Sequence, residues 1–203
     1  KKSSTAEMRH IRFAIDLAAV YIDPTDLCNA DCPYCYVPAK IRRQGRSMNE
    51  EELDFILNKI ADYFKIRKRK PVIVFHASEP LLLKRMLFRA IDKFRHNFYF
   101  GIQTNALLLE KEDAEFIKKY NVSIGISLDA ADKITNNRLR HSHRRGGNFQ
   151  KAVCALEWFR GYKGLNVITT MTKFNIHKLV PLVRFLHKKG VGCVLINPVR
   201  LTQ

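Results

Sequence analysis

The chain alternates between short apolar, β-branched runs and longer segments whose apolar residues recur at helical spacing. The apolar runs, which we predict to be strands, are Ala19–Asp23, Val72–Phe75, Tyr99–Thr104, Val122–Leu128, Asn166–Met171 and Cys193–Ile196. Runs that are almost continuously apolar are typical of strands buried on both faces of a sheet. Strands that alternate with helical segments predict parallel β/α units, with the helices packed outside the sheet.

A capping box predicts the start of the first strong helix. Ser47 and Glu50 lie three residues apart, the spacing at which the two side chains can satisfy free backbone amides. The apolar members of the helix that follows are Leu53, Ile56, Leu57, Ile60 and Phe64. Similar spacing predicts further helices over Leu81–Phe94, Lys111–Tyr120, Phe149–Phe159 and Ile176–Lys189. In the last of these, Pro181 is expected to bend the early turns, and Gly190 suits the C-terminal end.

Two architectures fit this alternation: an open, doubly wound sheet and a partial (β/α) barrel. The strand pattern does not choose between them, but in both the functional residues gather at the carboxyl ends of the strands. Polar residues follow the strands in turn: Asp23–Cys28, His76–Pro80, Gln103–Asn105, Ser127 with Asp129, the threonines at 169, 170 and 172, and Asn197–Pro198. We therefore expect one site along that edge.

Three cysteines directly after the first predicted strand carry the most specific chemistry. Cys28, Cys32 and Cys35 are spaced as C-x3-C-x2-C. Three thiolates can ligate a four-iron cluster and leave one iron open to a substrate or cofactor. A structural zinc site needs four protein ligands, and His76 could supply the fourth only if the fold brought it close. A redox pair of Cys32 and Cys35 is a third possibility, although it leaves Cys28 without a role.

The cysteine count and the composition bear on location. An odd number of cysteines, five, with three of them clustered, is unlike a secreted disulfide framework, so a reducing cytoplasm is expected. Cys154 and Cys193 are expected to pack as small hydrophobes. The polar segment Lys1–His10 lacks the apolar stretch of a signal peptide, and no apolar run approaches the roughly 20 residues of a membrane span. Hydrophobic residues make up 46% of the chain, which indicates a globular domain.

The chain is strongly basic, with a formal net charge of +17. The basic residues are concentrated in Lys40–Arg46, Lys65–Lys70 and Arg138–Arg145. Such clusters suit an anionic partner such as nucleic acid, or they form a solvated basic surface. No RNA-binding sequence signature accompanies them, which favours the solvated surface.

The cysteine loop resembles the signature of the radical S-adenosylmethionine (SAM) superfamily, including the aromatic Tyr34 before the last cysteine. The later units extend the resemblance. Segments similar to the family's Gly-Gly-Glu-Pro, Gln-Thr-Asn-Gly, Ser-Leu-Asp-Gly and Arg…Gly-x-Gly-x-Phe patterns are His76–Pro80, Gln103–Leu108, Ser127–Asp129 and Arg140 with Phe149. The resemblance covers almost the whole chain and is closest to the anaerobic sulfatase-maturing and peptide-modifying branch.

This resemblance implies a partial (β/α)6, TIM-like barrel with parallel strands and outer helices. It also implies that Cys28, Cys32 and Cys35 ligate a [4Fe–4S] cluster whose fourth iron is chelated by SAM. The implied SAM contacts are Tyr34 and backbone near Ile196 at the adenine, Ala77, Ser78 and Glu79 at the ammonium, Asn105 and Ser127 at the sugar or methionyl end, and Arg140 at the carboxylate. A forked guanidinium suits the last of these tasks.

The implied reaction is reductive cleavage of SAM to methionine and a 5′-deoxyadenosyl radical, which takes a hydrogen atom from a peptide or protein side chain. The implied electron donor is a flavodoxin or ferredoxin. Three alternatives stay open at this point. The charge motivates RNA modification, the cysteines motivate a zinc-stabilised nucleic-acid-binding module without catalysis, and the glycine replacements motivate a fold that binds the cluster but not SAM.

The sequence departs from the family pattern at several positions. Ala77 and Ser78 replace two glycines, and Ala130 replaces the glycine after Ser-Leu-Asp. Glycine allows positive φ and close backbone approach, so the loops either tolerate small side chains or bind SAM differently. One extra residue before Arg140 makes Arg138 a rival for the SAM carboxylate. We expect an N-terminal extension over 1–18 and the core barrel over 19–203, without the relatives' cysteine-rich C-terminal extension, so that the substrate-selecting and catalytic residues lie outside this sequence.

Overall fold

The computed structural model describes residues 17–66, 70–143 and 146–199, and its centre is one six-stranded sheet. The strands are β1 (Ala19–Ile22), β2 (Val72–Phe75), β3 (Tyr99–Thr104), β4 (Ser123–Ser127), β5 (Leu165–Met171) and β6 (Val194–Pro198). They lie side by side in chain order, and every neighbouring pair is parallel. Because the order never reverses, crossovers of one hand place all the helices on the same face. The sheet is therefore a half-barrel, and the doubly wound alternative is excluded.

Helices surround this half-barrel. The α-helices are α1 (Ala39–Gln44), α2 (Glu50–Ile66), α3 (Lys84–Phe94), α4 (Lys111–Lys119), α5 (Lys133–Leu139), α6 (Phe149–Trp158) and α7 (Leu179–Lys188). Short 3-10 turns, Pro80–Leu83 and Ile176–Lys178, precede α3 and α7. Within the described ranges, none of the helices combines the length and apolar character that a membrane span requires.

The apolar core lies between the sheet and the helices. In the central strands, Ile102, Ile124 and Ile126 are almost completely buried, whereas the alternating Gln103 and Ser127 are half-buried. Side chains of a strand alternate between its two faces, so one face packs on the helices and the other lines the inside of the half-barrel. The expectation that each strand is buried on both faces is therefore wrong for the inner face, which carries polar side chains.

The first strong helix begins two residues later than predicted. The reciprocal capping bonds join Asn49 and Glu52: the Glu52 amide donates to the Asn49 side chain at 2.8 Å, and the Asn49 amide donates to the Glu52 carboxylate at 2.9 Å. Ser47, the predicted cap, instead lies in a bridge with Thr25, and their hydroxyls are 2.7 Å apart. Both pairs fit the spacing of a capping box, and the bridge to Thr25 decides between them.

Hydrophobic periodicity does not predict the helices α1 and α5, because both are polar and neither carries an apolar stripe. In α5, Ile134 is 85% exposed, and the helix is capped by Asp132, whose carboxylate accepts from the Thr135 amide at 2.8 Å. Gly190 follows α7 and has a φ of 76°, which confirms its predicted role at the C-terminal end of that helix.

The remaining expectations concern the two cysteines outside the cluster, the N-terminal extension and the basic clusters. Cys154 and Cys193 are both exposed, so the expectation that they pack as small hydrophobes is wrong. Of the predicted N-terminal extension, residues 1–16 lie outside the described residues, as do Arg144 and Arg145 of the third basic cluster and residues 67–69 of the second.

Candidate functional site

The cysteine loop follows β1 directly and is held from outside by α1. The amide of Cys28 donates to the carbonyl of Arg42 at 2.9 Å. The guanidinium of Arg42, which is 6% exposed, donates to the carbonyls of Ala30 and Val37, both at 3.0 Å, and lies 3.0 Å from the Asp31 carboxylate. One buried arginine therefore braces both sides of the loop, which explains why the polar helix α1 is ordered here.

The three thiols of this loop, Cys28, Cys32 and Cys35, are free and half-buried. The sulfur of Cys28 accepts from the Ala30 amide at 3.4 Å and from the side-chain amide of Asn105 at 3.8 Å. Burial raises the pKa of Cys28 to about 12 and also raises the pKa of Cys32, although Arg140 opposes the rise at Cys32. A bound metal must therefore displace the thiol protons.

The thiols do not form a ready site for a single ion. In the part of the chain that the structure describes, no three His, Cys, Asp or Glu side chains are placed to hold one metal ion. The suggested fourth zinc ligand, His76, has its Nδ1 3.3 Å from the Asp23 carboxylate, and its ring packs edge-on against Tyr21. Zinc requires four donors about 2.0–2.3 Å from one point. The contacts of His76 with Asp23 and Tyr21 argue against His76 as the fourth zinc ligand.

The loop after β2 packs on the start of the cysteine loop. The Ser78 hydroxyl donates to the Asp26 carbonyl at 2.7 Å, and the Glu79 amide donates to the Leu27 carbonyl at 3.1 Å. Ala77 has a φ of 71°, a left-handed conformation that favours glycine. The backbone thus keeps a glycine-like turn even though the family's glycine is replaced by alanine.

Glu79 is fully buried, and its carboxylate joins this loop to the end of β3. One oxygen accepts from the Thr104 hydroxyl at 2.8 Å and from the Leu81 amide at 3.1 Å, and the other accepts from the Asn105 amide at 2.8 Å. Burial raises the pKa of Glu79 to about 7, and these hydrogen bonds oppose the rise. Both oxygens are engaged within the protein, so the predicted contact of this carboxylate with the SAM ammonium stays a prediction.

Asn105 links the third strand to the cysteine loop. Its side-chain amide donates to the Asn29 side chain at 2.8 Å in addition to its contact with the Cys28 sulfur. The next residue, Ala106, has a φ of 65° and is fully buried, and it occupies the position of the glycine in the family's Gln-Thr-Asn-Gly pattern. The predicted site residue Asn105 therefore lies beside the predicted cluster ligand.

The buried residues Asp129 and Arg140 and the half-buried Tyr34 form a second group at the cysteine loop. The Tyr34 hydroxyl donates to the Asp129 carboxylate at 2.5 Å, and Nη2 of Arg140 donates to it at 3.1 Å. Nε of Arg140 lies 2.8 Å from the same carboxylate but has no aligned hydrogen-bond partner among the described residues. The guanidinium also lies 5.7 Å from the centre of the Tyr34 ring.

These charges determine the ionisation of the group. Burial would lower the pKa of Arg140, but the Asp129 carboxylate raises it, so the guanidinium stays charged. Burial, with the nearby Asp129 charge, raises the pKa of Tyr34 well above its usual value. The phenol therefore remains a neutral donor.

The structure separates the two candidate arginines. Arg140 is 8% exposed and faces Asp129 at the carboxyl edge, whereas Arg138 is exposed and its guanidinium lies 4.9 Å from the Phe174 ring. The rival position is therefore disfavoured. Of the remaining predicted contacts, Ser127 ends β4 and is half-buried, and Ile196 lies in β6, opposite Thr169 of β5, and is 40% exposed.

Comparison with known proteins identifies the family. The sequence profile of the Radical SAM superfamily matches residues 22–186. The chain belongs to the radical SAM superfamily. This family consists of enzymes that use SAM together with an iron–sulfur cluster, and the three half-buried thiols of this radical SAM chain are a suitable donor set for such a cluster.

Individual relatives agree with this assignment. An uncharacterised protein of Archaeoglobus fulgidus is 44% identical over 203 residues, which is 100% of this chain and 46% of that protein. A cysteine-type anaerobic sulfatase-maturating enzyme of Clostridium novyi is 25% identical over 171 residues, 80% of this chain and 46% of the enzyme. The solved structure of anSMEcpe with bound AdoMet matches with a TM-score of 0.78 at 21% identity, over 91% of this chain and 52% of that one. The chain thus spans about half the length of these relatives.

Sequence reasoning missed the buried asparagines that hold the site of this radical SAM domain together. Asn148 donates 2.8 Å bonds to the carbonyls of Asn105 and Ser127, and it accepts from Asn136, whose own oxygen accepts from the Asp129 amide. Asn175 donates to the carbonyls of Asp129 and Thr170, both at 2.9 Å. The sequence offers little indication of these roles, because isolated asparagines commonly lie in turns. The one available signal was their position between a strand end and the next helix.

Proposed function

We propose that this chain holds a [4Fe–4S] cluster on Cys28, Cys32 and Cys35 and cleaves SAM reductively. The observation that carries the proposal is that three half-buried thiols and the buried residues Asp129 and Arg140 lie at the same edge of the half-barrel. Three protein ligands leave one iron of a four-iron cluster for a cofactor. When bound, the cluster supplies one electron to the SAM sulfonium, which yields methionine and a 5′-deoxyadenosyl radical.

The protein's own residues bind and orient the cofactor. In this proposal Arg140 binds the SAM carboxylate, since its guanidinium is charged, buried and lies at the carboxyl edge beside Tyr34 of the cysteine loop. Tyr34 lies beside the adenine together with backbone near Ile196. Backbone at Ala77 and Ser78 accepts from the SAM ammonium, and Glu79 fixes the turn that presents those groups.

Two further residues complete the proposed SAM site. Asn105 and Ser127 contact the sugar or the methionyl end. Asn105 is also bonded to the Cys28 sulfur, and hydrogen bonds to cluster sulfurs are one determinant of reduction potential. The same side chain would therefore couple SAM binding to the electronic state of the cluster.

The proposed substrate is a peptide or protein side chain, and the proposed reductant is a flavodoxin or ferredoxin. The similarity to a sulfatase-maturating enzyme, whose substrate is a protein, supports this substrate class. The inner face of the half-barrel carries polar, half-buried side chains such as Gln103, which can hydrogen-bond to a peptide backbone. Free, partly exposed thiols require a reducing environment, which supports a cytoplasmic location.

The test is anaerobic reconstitution with iron and sulfide, followed by dithionite reduction with SAM and measurement of 5′-deoxyadenosine. Iron, sulfide and deoxyadenosine are expected from the native chain and from C154A, because Cys154 is exposed on α6, away from the cysteine loop. All three are expected to fall sharply in C28A, C32A and C35A. Zinc without sulfide in the reconstituted protein would refute the proposal, and a cluster without deoxyadenosine would favour a fold that does not use SAM.

A further inference from the structure

Two basic segments that are almost a hundred residues apart converge on the cysteine loop. The first lies in and around α1, and the second follows α5. In the second segment the His141 carbonyl accepts from the Asp31 amide at 2.8 Å, and the His143 amide donates to the Asn29 carbonyl at 3.3 Å. An antiparallel bridge joins Ala30 to Ser142. Main-chain bonds therefore place both segments against the residues between Cys28 and Cys32.

The side chains of these segments form a surface that we name the basic rim: Lys40, Arg43, His141 and His143. Lys40 and His143 are exposed, and Arg43 is 56% exposed. Lys40 and Arg43 lie three residues apart on α1 and so share one face of that helix. An open groove of about 430 Å³ is lined by three residues of the rim, Arg43, His141 and His143, together with Asp31, Ser142 and Gly146.

The single carboxylate in this groove does not neutralise the surface. Asp31 lies 3.0 Å from Arg42 and 2.6 Å from Arg43, so one negative charge is shared by two guanidinium groups. The whole chain carries a formal net charge of +17, which adds a favourable long-range field for an acidic partner. Complementary charge of this kind mainly speeds association and orients the partner.

We infer that the basic rim is the docking surface for an acidic electron-transfer protein, an inference that rests on the proposed function. The rim is bonded to the loop that carries the thiols, so a protein bound there would bring its redox group close to the cluster. One electron would pass from the donor's reduced flavin, which becomes the semiquinone, to the cluster, and no bond would break. Electron-transfer encounters are small and weak, which suits an exposed rim of a few charges.

The position of the rim favours an electron donor over RNA. A substrate must reach the deoxyadenosyl radical on the inner face of the half-barrel, where Gln103 and Ser127 lie. The rim instead contacts Asn29 and Asp31 of the cysteine loop. A protein that binds at the cysteine loop is close to the cluster, as an electron donor must be. A substrate must instead be close to the radical.

The experiment uses the full, reconstituted chain and an acidic flavodoxin as the probe. Binding is measured by calorimetry, and deoxyadenosine formation is measured with reduced flavodoxin and, separately, with dithionite. The rim variant is K40E/R43E, and a second rim variant, K40E/H143E, keeps the ion pair of Arg43 with Asp31. The matched control, K119E/K163E, makes the same charge change as K40E/R43E at the amino edge of the sheet, at the end of α4 and before β5.

We expect both rim variants to bind flavodoxin about ten-fold more weakly and to lose flavodoxin-driven turnover, with dithionite-driven turnover retained. The control should stay within about two-fold of the native chain. Native affinity should also fall about ten-fold between roughly 50 mM and 300 mM salt, because the screening length drops below 10 Å in that range. This salt test needs no variant, so it stands even if a variant misfolds.

Three outcomes would overturn the inference: rim variants that bind flavodoxin like the native chain, a control that weakens binding equally, or binding that ignores salt. Tight binding of bulk tRNA that depends on the rim, without flavodoxin binding, would assign the surface to RNA instead. Absence of deoxyadenosine with dithionite would refute the proposed function alone, because flavodoxin affinity is measured independently of turnover.

Discussion

Replacement of Ala77 by glycine is expected to stabilise the protein, which is unusual for removal of a side chain. Ala77 is half-buried and has a φ of 71°. A left-handed conformation costs an L-residue roughly 1–2 kcal/mol, and glycine avoids this cost. Glycine also raises the entropy of the unfolded chain, which offsets about 0.5–1 kcal/mol of the gain. The net expectation for A77G is a free energy of unfolding about 0.5 kcal/mol higher.

Two other alanines at family glycine positions serve as matched comparisons. Ala106 has a φ of 65° but is fully buried, so A106G also loses about 0.8 kcal/mol of methyl burial and should be close to neutral or slightly destabilising. Ala130 is fully buried and is not among the positive-φ residues of the described chain. A130G therefore relieves no strain and should lower the free energy of unfolding by about 1.5 kcal/mol.

The assay is urea unfolding at equilibrium, with the midpoint and slope compared among the three variants and the native chain. A change in midpoint at constant slope reports a change in stability. The expected order of stability is A77G, then A106G, then A130G, with about 2 kcal/mol between the first and the last. If A77G were as destabilised as A130G, the alanine at 77 would carry no backbone strain and the reasoning would be refuted.

Three further predictions concern the buried polar groups. D129N should lower the free energy of unfolding by about 3–5 kcal/mol in urea titrations, because it leaves the Arg140 charge buried and unpaired. The control R138Q, at an exposed site, should change the free energy of unfolding by under about 0.5 kcal/mol. Equal effects of the two substitutions would contradict the pairing of Asp129 with Arg140. N148A should lower the free energy of unfolding by about 3 kcal/mol by the same measurement, since it leaves two carbonyls and one side-chain amide without partners inside the protein. A loss below about 1 kcal/mol would contradict the structural role of the Asn148 hydrogen bonds. For Glu79, the unfolded carboxyl releases its proton near pH 4.5 and the folded one near pH 7, so its contribution lowers stability as pH rises through that window, by about 3 kcal/mol in total. E79Q should remove this slope in unfolding measured from pH 4 to about 8, whatever its overall stability, and an unchanged slope would assign it to other groups.

The sequence predicted the strands and their parallel β/α arrangement well, because both depend on local signals, whereas the choice of a partial barrel over a doubly wound sheet came from the family resemblance. Each strand is a short β-branched run, and each polar motif follows a strand end, so parallel pairing alone brings Cys28, Glu79 and Asn105 to one edge. The helix boundaries were less predictable where two signals competed, as at Ser47 and Asn49. The helix α5 could not be found by periodicity, since its stability comes from the Asp132 cap and from the side-chain bonds of Asn136.

The long-range contacts of the site could not be predicted from the sequence. Tyr34 and Asp129 are 95 residues apart, and their hydrogen bond depends on how the cysteine loop folds back over β4. The exposure of Cys154 also contradicts the average behaviour of cysteine, because it depends on which face of α6 points outward. Periodicity identifies the apolar face of an element, but it does not specify which polar groups meet across elements.

The asparagine and glutamate bonds at the carboxyl edge have a mechanical consequence. Side-chain ties join β2 to β3 through Glu79, β3 to β4 through Asn148 and β4 to β5 through Asn175. Among the described residues, β6 is held to β5 by main-chain bonds, including the one from the Val199 amide to the Met171 carbonyl at 2.9 Å. The amide hydrogens of β6 should therefore exchange faster than those of β3 and β4, which side-chain ties hold on both sides.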